Sequence, residues 1–398
     1  MSGAQLGDGT VAIAGIGATE FSKASGRSEL ALAVEASLAA LADAGLSPDA
    51  VDGMATFTME TNPENALARA LGIGELSFFS RVGFGGGGGC ASVMHAAMAV
   101  ATGVAETVLV YRAFNERSGR RFGQGPPPDK VAVTTENEYR SWVNPHGLLT
   151  PAQQTAMVAQ RYLNRYGTDP EAFGRVSVLA RKHAATNPHA WFYQRPITLA
   201  DHQNSRWIAE PLRLLDCCQE TDGGQALVVT SVERARDLQT EPAVIRAASQ
   251  GIGPDQHTMV SYYRDDITHF PEVAGVARRL WAQSGLVPGS IDAAVLYDHF
   301  TPYVLTQLED YGFCGAGEAG DFIAEGHLEL TGRLPTNTHG GQLGEGYLHG
   351  MNGIAEGVRL VRGTSVNQPT GVEHVLVTAG AGVPTSGLVL GVDHERTN

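Results

Sequence analysis

Cysteine is scarce and badly spaced for a framework: there are four in 398 residues, two of them adjacent at Cys217 and Cys218. That excludes a disulfide scaffold and a CxxC-type metal site, so no metal is expected. Long apolar runs are missing too. None approaches the roughly eighteen residues that span a bilayer, so membrane insertion is not expected. Positive charge is also short, with 28 Lys and Arg against 42 Asp and Glu, and the net charge of −14 is wrong for a protein that neutralises nucleic-acid phosphates. The stretch through Phe21 has no basic segment followed by an apolar one and a small-residue cleavage site. A secretory signal is therefore not expected, and the cytoplasm is the expected compartment.

Apolar residues make up 43% of the chain, and this length exceeds one ordinary core, so two cores or two halves of a duplicated one are expected. An internal repeat supports duplication. Ala42-Asp-Ala-Gly45-Leu46-Ser-Pro48-Asp-Ala-Val-Asp52 returns as Ala282-Gln-Ser-Gly285-Leu286-Val-Pro288-Gly-Ser-Ile-Asp292, a constant offset of 240 residues. In each copy a helix (Leu30–Ala44, Val273–Ser284) stops at a glycine, turns through proline and enters an apolar strand (Val51–Phe57, Ala293–Tyr297). Helix and strand alternate again over Ala91–Ala101 and Thr107–Tyr111, and over Ile354–Val361 and His374–Thr378. This alternation implies α/β architecture with mixed or largely parallel sheets and helices on their faces. The halves are placed at 1–238 and 239–398. Residues 115–208, rich in Pro, Arg and Asn, read as an insertion over a face of the first half.

Gly83-Phe-Gly85-Gly-Gly-Gly88 satisfies GxGxxG, but a glycine run matches many patterns, and Val110-Tyr111-Arg112 stands where a ribose-binding carboxylate belongs. A nicotinamide cofactor is not expected, and the Lys-Ser/Thr ending of a phosphate loop is missing. Such a run before a helix offers either backbone N–H donors to a thioester oxyanion or close crossing of two helices at a dimer interface.

The segment Leu215-Asp-Cys-Cys-Gln-Glu-Thr-Asp222-Gly-Gly-Gln-Ala-Leu-Val-Val229 resembles the segment before the last strand of the first half in sterol-carrier-protein-type thiolases. The resemblance extends along nearly the whole chain. It implies the thiolase fold, with duplicated βαβαβαββ halves in a five-layered αβαβα core, an inserted loop domain, and a homodimer across the sheet edge of the first half. The strand Thr107–Tyr111 is the expected edge.

All four catalytic segments of that family are altered. The nucleophilic cysteine aligns with Gly86, while Cys90, about one turn further on, is expected to be a buried packing residue. The Asn-Glu-Ala-Phe segment reads Tyr297-Asp298-His299-Phe300. The general-base histidine is Tyr347, in Gly340-Gly341-Gln-Leu-Gly-Glu-Gly346-Tyr347-Leu348, and the second cysteine is lost in Thr378-Ala379-Gly380-Ala381-Gly382. Either tyrosine alone is most simply a packing residue; two at the histidine-type positions of one site point to chemistry. His299 is close in sequence to Tyr297 but is not expected to share its side of the strand.

Without a thiolate at Gly86 the acyl-enzyme route closes. Enolate stabilisation can survive, with Gly86 and Gly380 as the implied thioester-binding positions. An aldol cleavage then needs a base for the β-hydroxyl and an acid for the carbanion, and two phenols can serve. The tyrosine pair is similar to that of the lipid-transfer-protein-type steroid side-chain aldolases. That similarity implies retro-aldol cleavage of 17-hydroxy-3-oxopregn-4-ene-20-carboxyl-CoA to a 17-keto steroid and propionyl-CoA. CoA is then part of the substrate and no cofactor is needed. It also implies a partner, the OB-fold and zinc-ribbon domain of an enoyl-CoA hydratase subunit. Two other readings stay open: an acyltransferase using Cys90, and a non-catalytic acyl-CoA or lipid-binding protein.

Overall fold

A computed structural model describes residues 9–119, 121 and 141–395. Along the chain come β1 (Val11–Ala18), α1 (Glu29–Ala44), β2 (Gly53–Phe57), α2 (Glu64–Leu71), β3 (Phe78–Val82), α3 (Gly88–Ala101) and β4 (Thr107–Asn115). Two helices, α4 (Pro151–Tyr166) and α5 (Glu171–Thr186), and a ribbon of β5 (Trp207–Ala209) and β6 (Leu212–Arg213) precede β7 (Asp222–Ser231). The remainder supplies β8 (Ala243–Gly251), α6 (Pro271–Ser284), β9 (Ala293–Val295), α7 (Met351–Arg362), β10 (His374–Ala379) and β11 (Thr385–Gly391).

The repeat has a physical basis. α1 starts where Ser28 Oγ accepts the Ala31 N–H and stops at Gly45, whose φ of 73° few other residues adopt; α6 stops the same way at Gly285, φ 70°. The two aspartates of the repeat also do one job. The Asp52 carboxylate accepts the N–H groups of Glu106 and Thr107 at 2.8 Å each, and Asp292 Oδ2 accepts those of Glu373 and His374 at 2.9 and 2.8 Å. Each thereby ties the start of a strand to the start of its parallel neighbour, β2 to β4 and β9 to β10.

The strands form one mixed sheet in the order β3-β2-β4-β7-β1-β8-β11-β10-β9. Among the described residues its two halves pair at Ala12–Val244 and Ile13–Ala243, where β1 meets β8. α3 and α7 lie between the halves and touch strands of both, while α1 and α2 cover the outer face of one half and α6 that of the other. This is the αβαβα layering. From the seam outward the strand orders mirror each other, but the partner of β3 in the second half is reduced to a single parallel bridge, Ala294 to Thr336. β4 and β7 are buried almost end to end, and each fully buried Val or Leu there contributes on the order of 1.5–3 kcal/mol.

Two expectations are corrected. The strand at Thr107 is not an edge: β4 lies between β2 and β7, and the edge of the first half is β3, with Phe79 70% exposed. The expected insertion over the first half packs elsewhere. Ala156, Tyr162 and Leu163 of α4 and Phe173, Val176 and Ala180 of α5 join the core of the second half with Phe270, Tyr303, Leu308 and Leu343. The reason is coverage, since α1 and α2 already bury the outer apolar face of the first half.

Candidate active site

β9 ends at Val295, and the next two residues are held outside any ladder by side chains. The Leu296 N–H donates to Asn337 Oδ1 (2.8 Å), and Asn337 Nδ2 donates back to the Leu296 carbonyl (3.1 Å). The Tyr297 N–H donates to Thr378 Oγ1 (2.8 Å), its carbonyl accepts from Gln307 Nε2 (2.9 Å), and Thr378 Oγ1 donates to Gln307 Oε1 (2.6 Å). Thr378, at the family's second cysteine, is thus a backbone clamp on Tyr297.

Tyr347 is fixed similarly. Thr221 Oγ1 accepts its N–H (2.8 Å) and donates to its carbonyl (3.3 Å). Beneath it, Asn352 Nδ2 donates to Glu345 Oε2 (2.8 Å) and to the Gly346 carbonyl (3.1 Å). The two clamps bring the phenol oxygens of Tyr297 and Tyr347 within 3.5 Å, in a site where the residues are only 3% and 7% exposed.

The glycine run closes the other side for a steric reason. A Cβ on Gly86 would stand 1.8 Å from the Tyr297 hydroxyl oxygen, and one on Gly87 would stand 1.6 Å from the Pro384 carbonyl oxygen. Gly380, at φ 80°, packs so close that its Cβ would lie 2.7 Å from Gly87 Cα. Of the two glycine positions singled out from sequence, Gly380 therefore packs against Gly87, the residue next to Gly86. Cys90, in the first turn of α3, is fully buried, donates its thiol to the Val377 carbonyl at 3.7 Å, and is pushed well above the usual thiol range by burial.

Around the phenols lie groups that the sequence reading did not assign. The His299 ring packs 4.7 Å from that of Tyr297, against expectation: the residues are two apart and the chain has already left the strand. The His349 ring packs 4.7 Å from that of Tyr347. Burial lowers His299 to about 3, and burial together with the nearby Arg112 guanidinium, whose Nη2 lies 3.4 Å from Nδ1, holds His349 well below its ordinary value. Both imidazoles are neutral. Burial pushes the two phenols up, so both are protonated at rest. Glu116, just past β4, is 2% exposed and raised to about 9, chiefly by burial and next by Glu220. Its signal was faint: β4 runs four residues beyond the expected end at Tyr111, with no turn residue to stop it.

A protein-family model described as "Thiolase C-terminal domain-like" matches residues 253–390. The chain is 67% identical over 385 residues to a "Steroid side-chain-cleaving aldolase" of Thermomonospora curvata, covering 97% of this chain and 98% of that one. It is also 67% identical to a "17-hydroxy-3-oxo-4-pregnene-20-carboxyl-CoA lyase" of Mycobacterium tuberculosis, covering 96% and 99%. A solved structure described as "Ltp2-ChsH2(DUF35) aldolase" superposes with a TM-score of 0.94 at 66% identity, covering 98% of this chain and 100% of that one.

Proposed function

We propose, from the premise that this chain belongs to the thiolase superfamily and its steroid side-chain-cleaving aldolase branch, that it is a carbon–carbon lyase working through a paired tyrosine relay. The reaction is retro-aldol cleavage of 17-hydroxy-3-oxopregn-4-ene-20-carboxyl-CoA to a 17-keto steroid and propionyl-CoA. The observation that carries this reading is the 3.5 Å approach of the Tyr297 and Tyr347 hydroxyls beside a glycine where the family's nucleophile would stand.

Neither phenol is ionised at rest, so neither can act as a free phenolate base. A chain of two phenols does not need one. Tyr297 accepts the β-hydroxyl proton as it passes its own proton to Tyr347, and Tyr347 delivers a proton to the α-carbon. The substrate O–H and C–C bonds break, the ketone C=O forms, and the released electron pair passes through the thioester enolate to the new C–H bond. No proton is gained or lost overall. Backbone donors at Gly86 and Gly380 stabilise the enolate oxygen. Cys90 is a poor acyl carrier here, with its thiol un-ionised and turned to Val377.

The working unit we propose is a homodimer joined through the exposed β3 edge and completed by an OB-fold and zinc-ribbon domain of an enoyl-CoA hydratase subunit, in the cytoplasm. The structural relative described with a DUF35 domain supports the second contact. Among the described residues no helix is long and apolar enough to cross a membrane. Incubation with the β-hydroxyacyl-CoA in the absence of free CoA tests the activity. Ketone and propionyl-CoA are expected; turnover only of a β-ketoacyl-CoA with added CoA would replace the lyase by an acyltransferase.

A further inference from the structure

The turn between Tyr347 and α7 runs through two consecutive left-handed residues, His349 at φ 52° and Gly350 at φ 82°. Glycine takes that conformation freely and histidine only occasionally, so the surroundings of His349 hold it there. The turn touches both phenol rings. Its curl returns the His349 ring onto that of Tyr347, with centroids 4.7 Å apart and planes at 45°. At Gly350 the backbone runs so close to Tyr297 that a Cβ would stand 2.9 Å from Cδ2 of that ring.

What holds His349 comes from the first half of the chain. Its buried ring meets Phe57, at the end of β2, with centroids 6.0 Å apart and planes at 73°, and Phe114 of β4 at 6.2 Å. The Arg112 guanidinium lies over the same two rings, 4.5 Å from the Phe114 centroid and 5.5 Å from that of Phe57, and its Nη2 is 3.4 Å from His349 Nδ1. A guanidinium has only donors, so Nδ1 is the acceptor and the ring proton sits on Nε2. Arg112 is itself fixed. Its Nη1 donates to Glu60 Oε2 and to the Ala113 carbonyl, both at 3.2 Å, and Glu60 Oε2 also accepts the Ala113 N–H at 2.7 Å. Both side chains of that ion pair are fully buried. A tie therefore runs from β4 across to the second half and ends on the ring of Tyr347.

We infer, on the basis of the lyase reading above, that His349 is a positioning residue: anchored on Arg112, its ring sets the angle at which Tyr347 presents its hydroxyl to Tyr297. The two hydroxyls are 3.5 Å apart, and a phenol displaced by about an ångström loses its partner. The left-handed backbone at 349 serves this contact, since a change of φ there redirects the Cα–Cβ bond and carries the ring off Tyr347. His349 itself exchanges no proton with substrate in this role; it acts through the tyrosine.

Asparagine and glycine both accept a left-handed backbone, so His349→Asn and His349→Gly keep the turn, and neither keeps a ring against Tyr347. Wild type and Tyr347→Phe are assayed first, with the β-hydroxyacyl-CoA and no free CoA. No cleavage by wild type, or full activity in Tyr347→Phe, overturns the lyase reading and this inference with it. Once both controls behave, each His349 variant should lose about 10–10² in kcat, the scale for a small misplacement of a reacting group, with KM little changed. In a Tyr347→Phe background the same substitutions should cost less than about threefold more, because the hydroxyl they misplace is gone. A merely structural role would lower both backgrounds alike. Wild-type kcat in both variants, or losses that multiply with that of Tyr347→Phe, overturns the inference and leaves the lyase standing. The anchor is read in the wild-type protein, independently of any variant's folding, by ¹⁵N NMR of labelled histidines with the His349 signals assigned through the backbone. Nδ1 at the shift of an unprotonated acceptor and Nε2 at that of an N–H are expected, and a proton on Nδ1 overturns the tie to Arg112.

Discussion

The Tyr297 hydroxyl fills the space that any side chain at position 86 would need, since a Cβ on Gly86 would stand 1.8 Å from that oxygen and 2.5 Å from the ring carbon bearing it. A side chain at position 86 and the phenol of Tyr297 are therefore mutually exclusive in this backbone. Gly86→Ala should displace the tyrosine and lower kcat by about 10²–10⁴, as deleting the hydroxyl would. Combined with Tyr297→Phe it should add little further loss, because both changes break the same step. A double-mutant cycle on kcat checks this, and simple multiplication of the two losses would separate glycine from tyrosine.

On the lyase reading Cys90 carries no covalent step, so Cys90→Ala should keep most activity and thiol alkylation should be nearly harmless. Stability should fall slightly for the lost sulfur packing. Steady-state kinetics and Tm of the variant report both. A loss of about three orders of magnitude in a folded Cys90→Ala protein would restore the acyl-enzyme route.

Thr378 holds the Tyr297 backbone through a side-chain hydrogen bond. Thr378→Val removes the oxygen that accepts the Tyr297 N–H and donates to Gln307. It should lower kcat by about 10–10², the scale for a small misplacement of a reacting group, while Thr378→Ser restores most of it. Equal activity of the Val and wild-type proteins would show that the clamp is unnecessary.

Acid stability should depend on His299. Its folded value lies near 3, against roughly 6.5 in the unfolded chain, so below about pH 6.5 the unfolded state binds a proton that the folded state refuses. Stability conferred by the neutral ring is therefore complete above that pH and declines as pH falls toward 3. His299→Gln should show a shallower fall of Tm over pH 6.5 to 4.5 than wild type. Parallel curves would assign the acid sensitivity to other groups.

Much of this was legible in the residues because local rules agreed with the fold. Gly45 and Gly285 end helices because few other residues take that backbone conformation, and Asp52 and Asp292 recur because each collects two N–H groups at equivalent strand entries. Tyr297 and Tyr347 stood out as phenols at positions where related sequences carry polar catalytic groups. What local patterning does not encode is which apolar face is still uncovered. The helical stripe Ala152, Ala156, Ala159, Leu163 is apolar wherever it packs, and only the finished first half, closed by α1 and α2, sends it to the second. The length of β4 escaped for a related reason: Arg112 and Asn115 look like exposed loop residues until Glu60 and Glu29 are found hydrogen-bonded to them. Glu116 was hidden by the same mistake.

The central claim is that two neutral phenols pass one proton, and single-turnover cleavage of the β-hydroxyacyl-CoA by Tyr297→Phe, Tyr347→Phe and the double variant tests it most directly. A relay is broken once by either change. Each single variant should therefore lose about 10²–10⁴ in rate with its fold intact, and the double variant should be no slower than the slower single. Wild-type rates in both single variants would contradict the account outright, and losses that multiply in the double variant would show two phenols acting separately.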